Sequence, residues 1–151
     1  MIFTEAGLGR FFELVSGIYI NYRRLLEGIL KKHNLTYPQM GALLVVSGKG
    51  EPLTQTKLAE TLETDTTNVM VICDSLEKKG FIVRSPNPND RRSNLVSSTA
   101  KGDSVFRRAF SEIGELMSRF EGRLSGSAID TALPALEEVY KTLKKKNTED
   151  K

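Results

Sequence analysis

The sequence of 151 residues contains one cysteine, one histidine and no apolar run that approaches the roughly 20 residues of a membrane span. A single cysteine, Cys73, cannot form an intramolecular disulfide, which is typical of proteins from reducing compartments. The N-terminus has no basic segment followed by an apolar one, so no signal peptide is predicted. We therefore expect a cytoplasmic protein with no membrane partner.

The sequence also lacks the short motifs that mark most catalytic and cofactor sites. It has no Gly-rich phosphate loop, no Ser-x-x-Lys, no His-Glu-x-x-His and no pair of cysteines. The single histidine, His33, has no second histidine or cysteine with which to complete a metal site. The sequence therefore predicts no enzyme, no catalytic residues, no metal and no cofactor. Cys73 is expected to be a small buried residue rather than a redox sensor.

The composition is ordinary for a globular protein, with 39% hydrophobic and 27% charged residues. The length predicts a single domain over residues 1–151. The net charge of +3 permits a nucleic-acid partner without demanding one.

Apolar residues at alternating three- and four-residue steps predict a long helix from about Thr4 to Lys32. A helix of this length cannot bury its whole apolar stripe in a core of this size, and a second surplus stripe follows on the last helix, from Ile129 to Leu143. We therefore expect a homodimer. Its predicted interface comprises Leu8, Phe11, Phe12, Val15, Leu133, Leu136, Val139, Tyr140 and Leu143.

The middle of the chain carries strong helix signals. Thr36 and Gln39 form a capping box, and the helix they begin is expected to stop near Val46, before Gly48 and Gly50. Thr54 is the predicted N-cap of a short helix through Leu62. After a turn at residues 63–65, another helix is predicted from Thr66 to Lys79. Two short helices joined by a tight turn indicate a helix-turn-helix.

The pattern then changes to strands at residues 81–84 and 94–97, separated by a polar turn that carries Arg91 and Arg92. Two helices follow, from Ala100 to Leu124 and from about Ser127, where Pro134 is expected to kink the helix or delay its start. The tail from Lys144 is expected to fray. The predicted fold is mainly α, of the α+β winged-helix class, with a two-stranded wing between N- and C-terminal helices.

The order and spacing of these elements resemble the multiple-antibiotic-resistance regulator (MarR) family. The residues that carry the resemblance are Leu35-Thr36 with Gln39, Leu58-Ala59 with Leu62, Asp74 to Ile82 with Arg84, Asn89 to Arg92, and Thr99 to Gly102. The resemblance implies a winged helix-turn-helix unit over residues 35–102. It also implies that segments 1–34 and 103–151 are dimerisation helices.

The resemblance further implies a dimeric, sequence-specific DNA-binding transcriptional regulator, usually a repressor relieved by a small molecule. The helix from Asp65 to Lys79 would enter the major groove of double-stranded DNA, and the wing would reach the minor groove with Arg91 or Arg92. A two-fold dimer would read a pseudo-palindromic operator.

Periodicity places four residues of the recognition helix on its core side, namely Val69, Ile72, Cys73 and Leu76. The residues assigned to DNA are Thr66, Thr67, Asn68, Val71, Ser75, Arg84, Arg91 and Arg92. Among them, Val71 can offer only apolar contact, for example to a thymine methyl group.

The family also implies a small aromatic effector between the dimerisation helices and the winged unit. Candidate pocket walls are Tyr19, Tyr22, His33, Tyr37 and Met40, although residues of each of these kinds more often serve in plain core packing.

The sequence departs from the family at Val71 and Ser75, where related proteins often carry arginine. Residues 36–100 contain seven basic and seven acidic residues, so the unit is net neutral. Because phosphate contacts dominate affinity, we expect weaker and more wing-dependent binding than is usual for the family. The alternative is a dimeric protein-interaction or ligand-sensing module with weak or lost DNA binding.

Overall fold

The computed structural model describes residues 5–121, 123 and 125–149, and within them six helices accompany one three-stranded sheet. The elements are α1 (Glu5–Lys32), α2 (Tyr37–Lys49), β1 (Leu53–Thr54), α3 (Gln55–Thr61), α4 (Thr66–Lys78), β2 (Ile82–Pro86), β3 (Asn94–Ser98), α5 (Ala100–Glu121) and α6 (Gly126–Glu149). The chain forms two compact units, Met1–Ile113 and Gly114–Lys151, which are described separately. The predicted helix ends at Thr4 and Leu124 lie outside the described residues.

Side-chain caps fix where α2 and α3 begin. The Thr36 hydroxyl accepts from the Gln39 backbone N–H and the Gln39 side chain accepts from the Thr36 N–H, which confirms the predicted capping box. The Thr54 hydroxyl likewise accepts from the Lys57 N–H. Helix α2 continues past Gly48 and ends at Gly50, because Gly50 adopts the left-handed conformation with φ +66° that closes a helix.

The sheet has the strand order β1-β3-β2, and both strand pairs are antiparallel. The hairpin pairs Ile82 with Ser98 and Pro86 with Asn94, as expected for a wing. Strand β1 adds a third member by pairing Leu53 with Val96. The predicted winged-helix class is therefore confirmed, with one short strand that the sequence analysis did not anticipate.

The core of the first unit lies where α4 packs on its neighbours. Val69, Cys73 and Leu76 of α4 are fully buried, as the periodicity predicts, whereas the fourth predicted core residue, Ile72, is only half-buried. The largest fully buried side chains of the other elements are Leu30, Leu43, Leu58 and Val96. Each large aliphatic side chain buried in this way contributes about 1.5–3 kcal/mol. The inner face of α4 is therefore firmly held, and its outer face is the one left for function.

In the second unit, α6 runs through Pro134 and continues to Glu149. This corrects the expectation of a tail that frays from Lys144, because the helix persists through the lysine run. One side of α6 is apolar and exposed, with Ile129, Leu133, Leu136, Tyr140 and Leu143 at the surface. Among the described residues, no helix combines the length and the apolar character that crossing a membrane would require.

A tight corner joins the recognition helix to α5. Gly80 has φ +71°, and the Thr99 hydroxyl donates to its carbonyl oxygen at 2.7 Å. The same hydroxyl accepts from the Gly102 N–H at 3.0 Å, and the Thr99 N–H donates to the Phe81 carbonyl oxygen at 3.0 Å. Gly102 lies so close that an added Cβ would stand 1.9 Å from the Phe81 carbonyl oxygen. The position therefore requires glycine.

We predict that Gly102→Ala destabilises the protein by about 1–3 kcal/mol, because the methyl group must displace backbone rather than a flexible side chain. Urea unfolding at a fixed protein concentration measures the change. Gly48→Ala is the matched control, since an added Cβ there meets no atom within 4 Å. The control should leave stability unchanged or raise it by up to about 1 kcal/mol. Equal stability of both variants would contradict the prediction.

Candidate nucleic-acid interface

The outer face of α4 presents the residues that the sequence analysis assigned to DNA at the N-terminal half of the helix. Thr66, Thr67, Asn68 and Val71 are exposed. The structure adds Met70, which the sequence analysis did not name and which is 54% exposed. The sequence did contain a signal for Met70, because it is a large apolar residue that lies off the core stripe of Val69, Cys73 and Leu76.

Asn68 is engaged in capping the recognition helix. The Asp65 carboxylate accepts from the Asn68 backbone N–H at 2.8 Å. The Asn68 side-chain nitrogen donates to the other Asp65 oxygen and, at 3.4 Å, to the Thr64 hydroxyl. Reading adenine with asparagine requires a free amide donor and acceptor together. In this structure the amide donor is already bonded to Asp65 and Thr64 at the start of α4.

Ser75 belongs to a buried polar cluster, although the sequence analysis placed it on the DNA face. Its hydroxyl accepts from the side-chain nitrogen of Gln39 at 2.9 Å. Gln39 is only 6% exposed, and its side-chain oxygen accepts from the Lys79 ammonium at 2.8 Å. The Lys79 ammonium also donates to the Asn34 carbonyl oxygen, and burial lowers its pKa. This Gln39 cluster ties α4 to the end of α1 and the start of α2.

Arg84 turns toward α4 instead of toward solvent. Its guanidinium lies 2.7 Å from the Asp74 carboxylate and 2.9 Å from that of Glu77, and it donates to the Met70 carbonyl oxygen at 3.3 Å. The side chain is 17% exposed. Burial acts to lower the pKa of the guanidinium, but the hydrogen bond to Asp74 and nearby charges raise it overall. Sequence periodicity cannot show this, because the pairing joins a strand to a helix.

Side-chain hydrogen bonds hold the shape of the wing tip. The Asp90 carboxylate accepts from the Arg92 backbone N–H at 3.0 Å, and Asn87 donates to the Ser93 hydroxyl at 2.9 Å. Within the described residues, neither Arg91 nor Arg92 forms an ion pair, and both are exposed. Asp90 therefore supports the loop without engaging either guanidinium.

A cavity of about 630 Å³ opens between α1, α2, the turn before α4, and α5. Of the five predicted pocket residues, four line it: Tyr19, Tyr22, Tyr37 and Met40. Arg23 also lines it, with its guanidinium 5.9 Å from the centre of the Tyr37 ring. Burial raises the pKa of the Tyr37 phenol, so this group is neutral at physiological pH.

His33 lies outside the cavity lining and instead connects α1 to α5. Its Nε2 is 2.9 Å from one Glu112 oxygen, and the Lys32 ammonium is 3.1 Å from the other. Hydrogen bonds from Lys32 and His33 lower the pKa of Glu112. His33, which was predicted to line the pocket, therefore links α1 to α5 instead.

Cys73 is fully buried, as predicted, and burial raises the pKa of its thiol. The raised pKa disfavours the thiolate, which is the reactive form of cysteine.

Comparison with known proteins settles the family. The family model described as MarR family matches residues 33–93. An organic hydroperoxide resistance transcriptional regulator of Bacillus subtilis is 32% identical over 119 residues, which span 79% of this chain and 79% of that protein. The chain belongs to the MarR family. It is a transcriptional regulator of that family, as its sequence pattern predicts.

Solved MarR structures share the fold. A mutant MarR from E. coli, crystallised in complex with operator DNA, superposes with a TM-score of 0.77 and 27% identity, covering 87% of this chain and 92% of that one. Staphylococcus aureus MarR in complex with salicylate and kanamycin superposes with a TM-score of 0.82 over 93% of this chain and 95% of that one. Its identity is 21%, so it supports the fold alone.

We predict that Gln39→Ala destabilises the protein by about 1–3 kcal/mol, because it leaves the Lys79 ammonium and the Thr36 N–H without their acceptor. Thermal or urea unfolding measures the loss. Gln39→Glu keeps an oxygen acceptor beside Lys79 and should retain most of the stability at neutral pH. A Gln39→Ala variant as stable as the wild type would show that the cluster does not contribute to the stability of the protein.

Proposed function

We propose that the protein is a cytoplasmic, homodimeric repressor that binds a pseudo-palindromic DNA operator and is released by a small aromatic effector. The observation that carries the DNA part is the exposed outer face of α4 beside a wing with two unpaired arginines. In this arrangement α4 occupies the major groove and the wing tip reaches the adjacent minor groove. Transcription regulation, rather than catalysis, is the activity that this surface supports.

The distribution of charge assigns most of the phosphate attraction to the wing. Asp74 and Glu77 lie on α4, and Arg84 compensates both carboxylates instead of meeting DNA. Lys79 is committed to the Gln39 cluster. Arg91 and Arg92 remain exposed and unpaired at the wing tip, where a narrow minor groove concentrates negative potential. We assign Arg84 the role of holding the wing to α4 and the DNA contacts to Arg91 and Arg92.

Dimerisation is supported by apolar surface in both units. In α1, Leu8 and Phe12 are exposed and Phe11 and Val15 are half-buried. In α6 the exposed apolar side continues from Leu133 to Leu143, with Val139 half-buried. A helix that leaves so much of its apolar side exposed is rare in a monomer. A second copy of the chain would cover it and would place two recognition helices on one face of the DNA.

We predict that the protein binds its operator with nanomolar affinity that weakens steeply with salt. Replacing Arg91 or Arg92 with alanine should reduce both the affinity and the magnitude of the salt slope. The slope should fall by about one for each phosphate that the variant no longer neutralises. Fluorescence anisotropy against salt concentration gives both quantities. Light scattering on the same samples should give twice the chain mass of 16.8 kDa.

Lys141→Ala is the control for this experiment, because Lys141 is exposed on α6 and paired with Glu137. It should leave the affinity and the slope unchanged. A stable dimer that binds no duplex even at low salt would instead favour a protein-interaction module with lost DNA binding.

The cavity supports the effector part of the proposal. Its volume lies within the roughly 300–1,000 Å³ that small-molecule sites occupy. Tyr19, Tyr22 and Tyr37 offer aromatic walls with hydroxyl groups, and Arg23 offers a cation that suits a carboxylate. The cavity also touches Thr64, whose hydroxyl accepts from Asn68 at the start of α4. A ligand in the cavity therefore contacts the turn that orients the recognition helix.

We predict that salicylate, which S. aureus MarR holds in its structure, raises the melting temperature of this protein and weakens its binding to DNA. Leu44→Trp places a large ring in the cavity lining and should abolish the shift. Leu14→Trp is the control, because Leu14 is an equally exposed leucine outside the lining. An unchanged melting temperature with salicylate and with other aromatic acids would contradict an effector of this class.

A further inference from the structure

The outer face of α4 is apolar at its centre. Met70 and Val71 are 54% and 65% exposed, although both are large hydrophobic residues. Consecutive helical residues point about 100° apart, and the buried stripe of Val69, Cys73 and Leu76 marks the core direction. Val71 therefore points almost directly away from the core, and Met70 lies at the edge of the outer face, on the side of Asp74. We call this exposed apolar pair the Met70–Val71 surface.

The polar side chains around this surface already have partners inside the protein. The Asn68 amide donor serves Asp65 and Thr64. The Asp74 carboxylate is bound by Arg84, and the Ser75 hydroxyl accepts from Gln39. The Asn68 amide nitrogen would have to give up these hydrogen bonds before it could donate to a base edge.

The recognition helix also lacks the usual means of reading guanine. The sequence has no lysine or arginine between Lys57 and Lys78, so the first three turns of α4 offer no cation. Specific recognition of guanine commonly uses arginine or lysine bonded to its O6 and N7 atoms. The groups that remain on this face are the hydroxyls of Thr66 and Thr67 and the Met70–Val71 surface.

We infer that Met70 and Val71 determine operator specificity by packing against the 5-methyl groups of thymines in each half-site. The inference rests on the proposed DNA-binding function and names the base that this helix recognises. The thymine methyl is the apolar group that the major groove displays, so it is the feature an apolar pair can distinguish. The flexible Met70 side chain adapts to the position of its methyl group, while the branched Val71 side chain holds one rotamer.

The test replaces thymine with uracil, which removes the methyl group and keeps every hydrogen-bonding atom of the base pair. The probe is the duplex recovered by selection from a pool of random sequence, remade with uracil at each thymine in turn. At the contacted positions, wild-type affinity should fall roughly fourfold for each methyl removed, and roughly fifteenfold when the same change is made in both half-sites. Salt dependence should remain, because the phosphate contacts are untouched.

Variants then assign each methyl group to its side chain. Met70→Ala and Val71→Ala should each bind the thymine duplex more weakly and become insensitive to uracil at one position of the half-site. Val83→Ala is the matched control: Val83 is an exposed valine on β2, and its variant should keep full sensitivity.

The outcomes separate this inference from the proposed function. Salt-dependent binding that is indifferent to uracil at every position overturns the inference and leaves DNA binding intact. Sensitivity to uracil that persists in both Met70→Ala and Val71→Ala also overturns it, because other residues then read the methyl groups. A dimer that binds no duplex at low salt overturns the proposed function and the inference together.

Discussion

The side-chain amide of Gln39 is the point at which the winged unit fixes the position of its recognition helix. Its oxygen accepts from the Lys79 ammonium at the end of α4, and its nitrogen donates to Ser75 in the last turns of the same helix. Its own segment begins α2, and Lys79 reaches on to the Asn34 carbonyl oxygen after α1. Gln39 itself is buried, so its amide depends on these partners for its hydrogen bonds, while Ser75 and Lys79 are half-buried. The orientation of the DNA-facing side of α4 depends on this arrangement.

The charged groups of α4 and the wing are bound to one another, and for this reason the α4 face carries little positive potential. The Asp65 carboxylate accepts from the Asn68 N–H, and its negative charge at the N-terminus of α4 disfavours a phosphate there. Arg84 compensates Asp74 and Glu77 and thereby links the wing strand to the helix. Arg84 and Lys79 bind groups within the unit, and Arg91 and Arg92 are exposed at the wing tip, where they can attract DNA.

Sequence reasoning recovered the parts of this molecule that depend on local rules. The caps at Thr36 and Thr54, the buried stripe of α4 and the wing hairpin all follow from side-chain chemistry and periodicity. Strand β1 was not predicted, because a strand of two residues is too short to show periodicity. It is defined by its pairing with β3. The extent of α6 was underestimated because a polar run with three lysines gives no apolar pattern by which to extend the helix.

The functional residues were harder to predict because their partners lie far away in the sequence. Ser75 is on the expected side of α4, but its hydroxyl accepts a hydrogen bond from Gln39, which lies 36 residues away in the sequence. Arg84 matches a family motif, yet its partners are carboxylates on a neighbouring helix. His33 has the chemistry of a pocket residue and is held by Glu112 from α5. Periodicity identifies a face, and only the tertiary contacts show which groups on that face remain free.

The cavity reaches the recognition helix at the turn before it and at Ile72, the residue after Val71. Thr64 lines the cavity, and its hydroxyl accepts from the Asn68 amide, which also binds the Asp65 cap of α4. A ligand that shifts Thr64 therefore disturbs the cap and the orientation of the first turn of α4 together. An apolar surface is sensitive to such a shift, because van der Waals contact with a methyl group weakens over a fraction of an ångström. Reading DNA through Met70 and Val71 would thus make release responsive to a small movement of this turn.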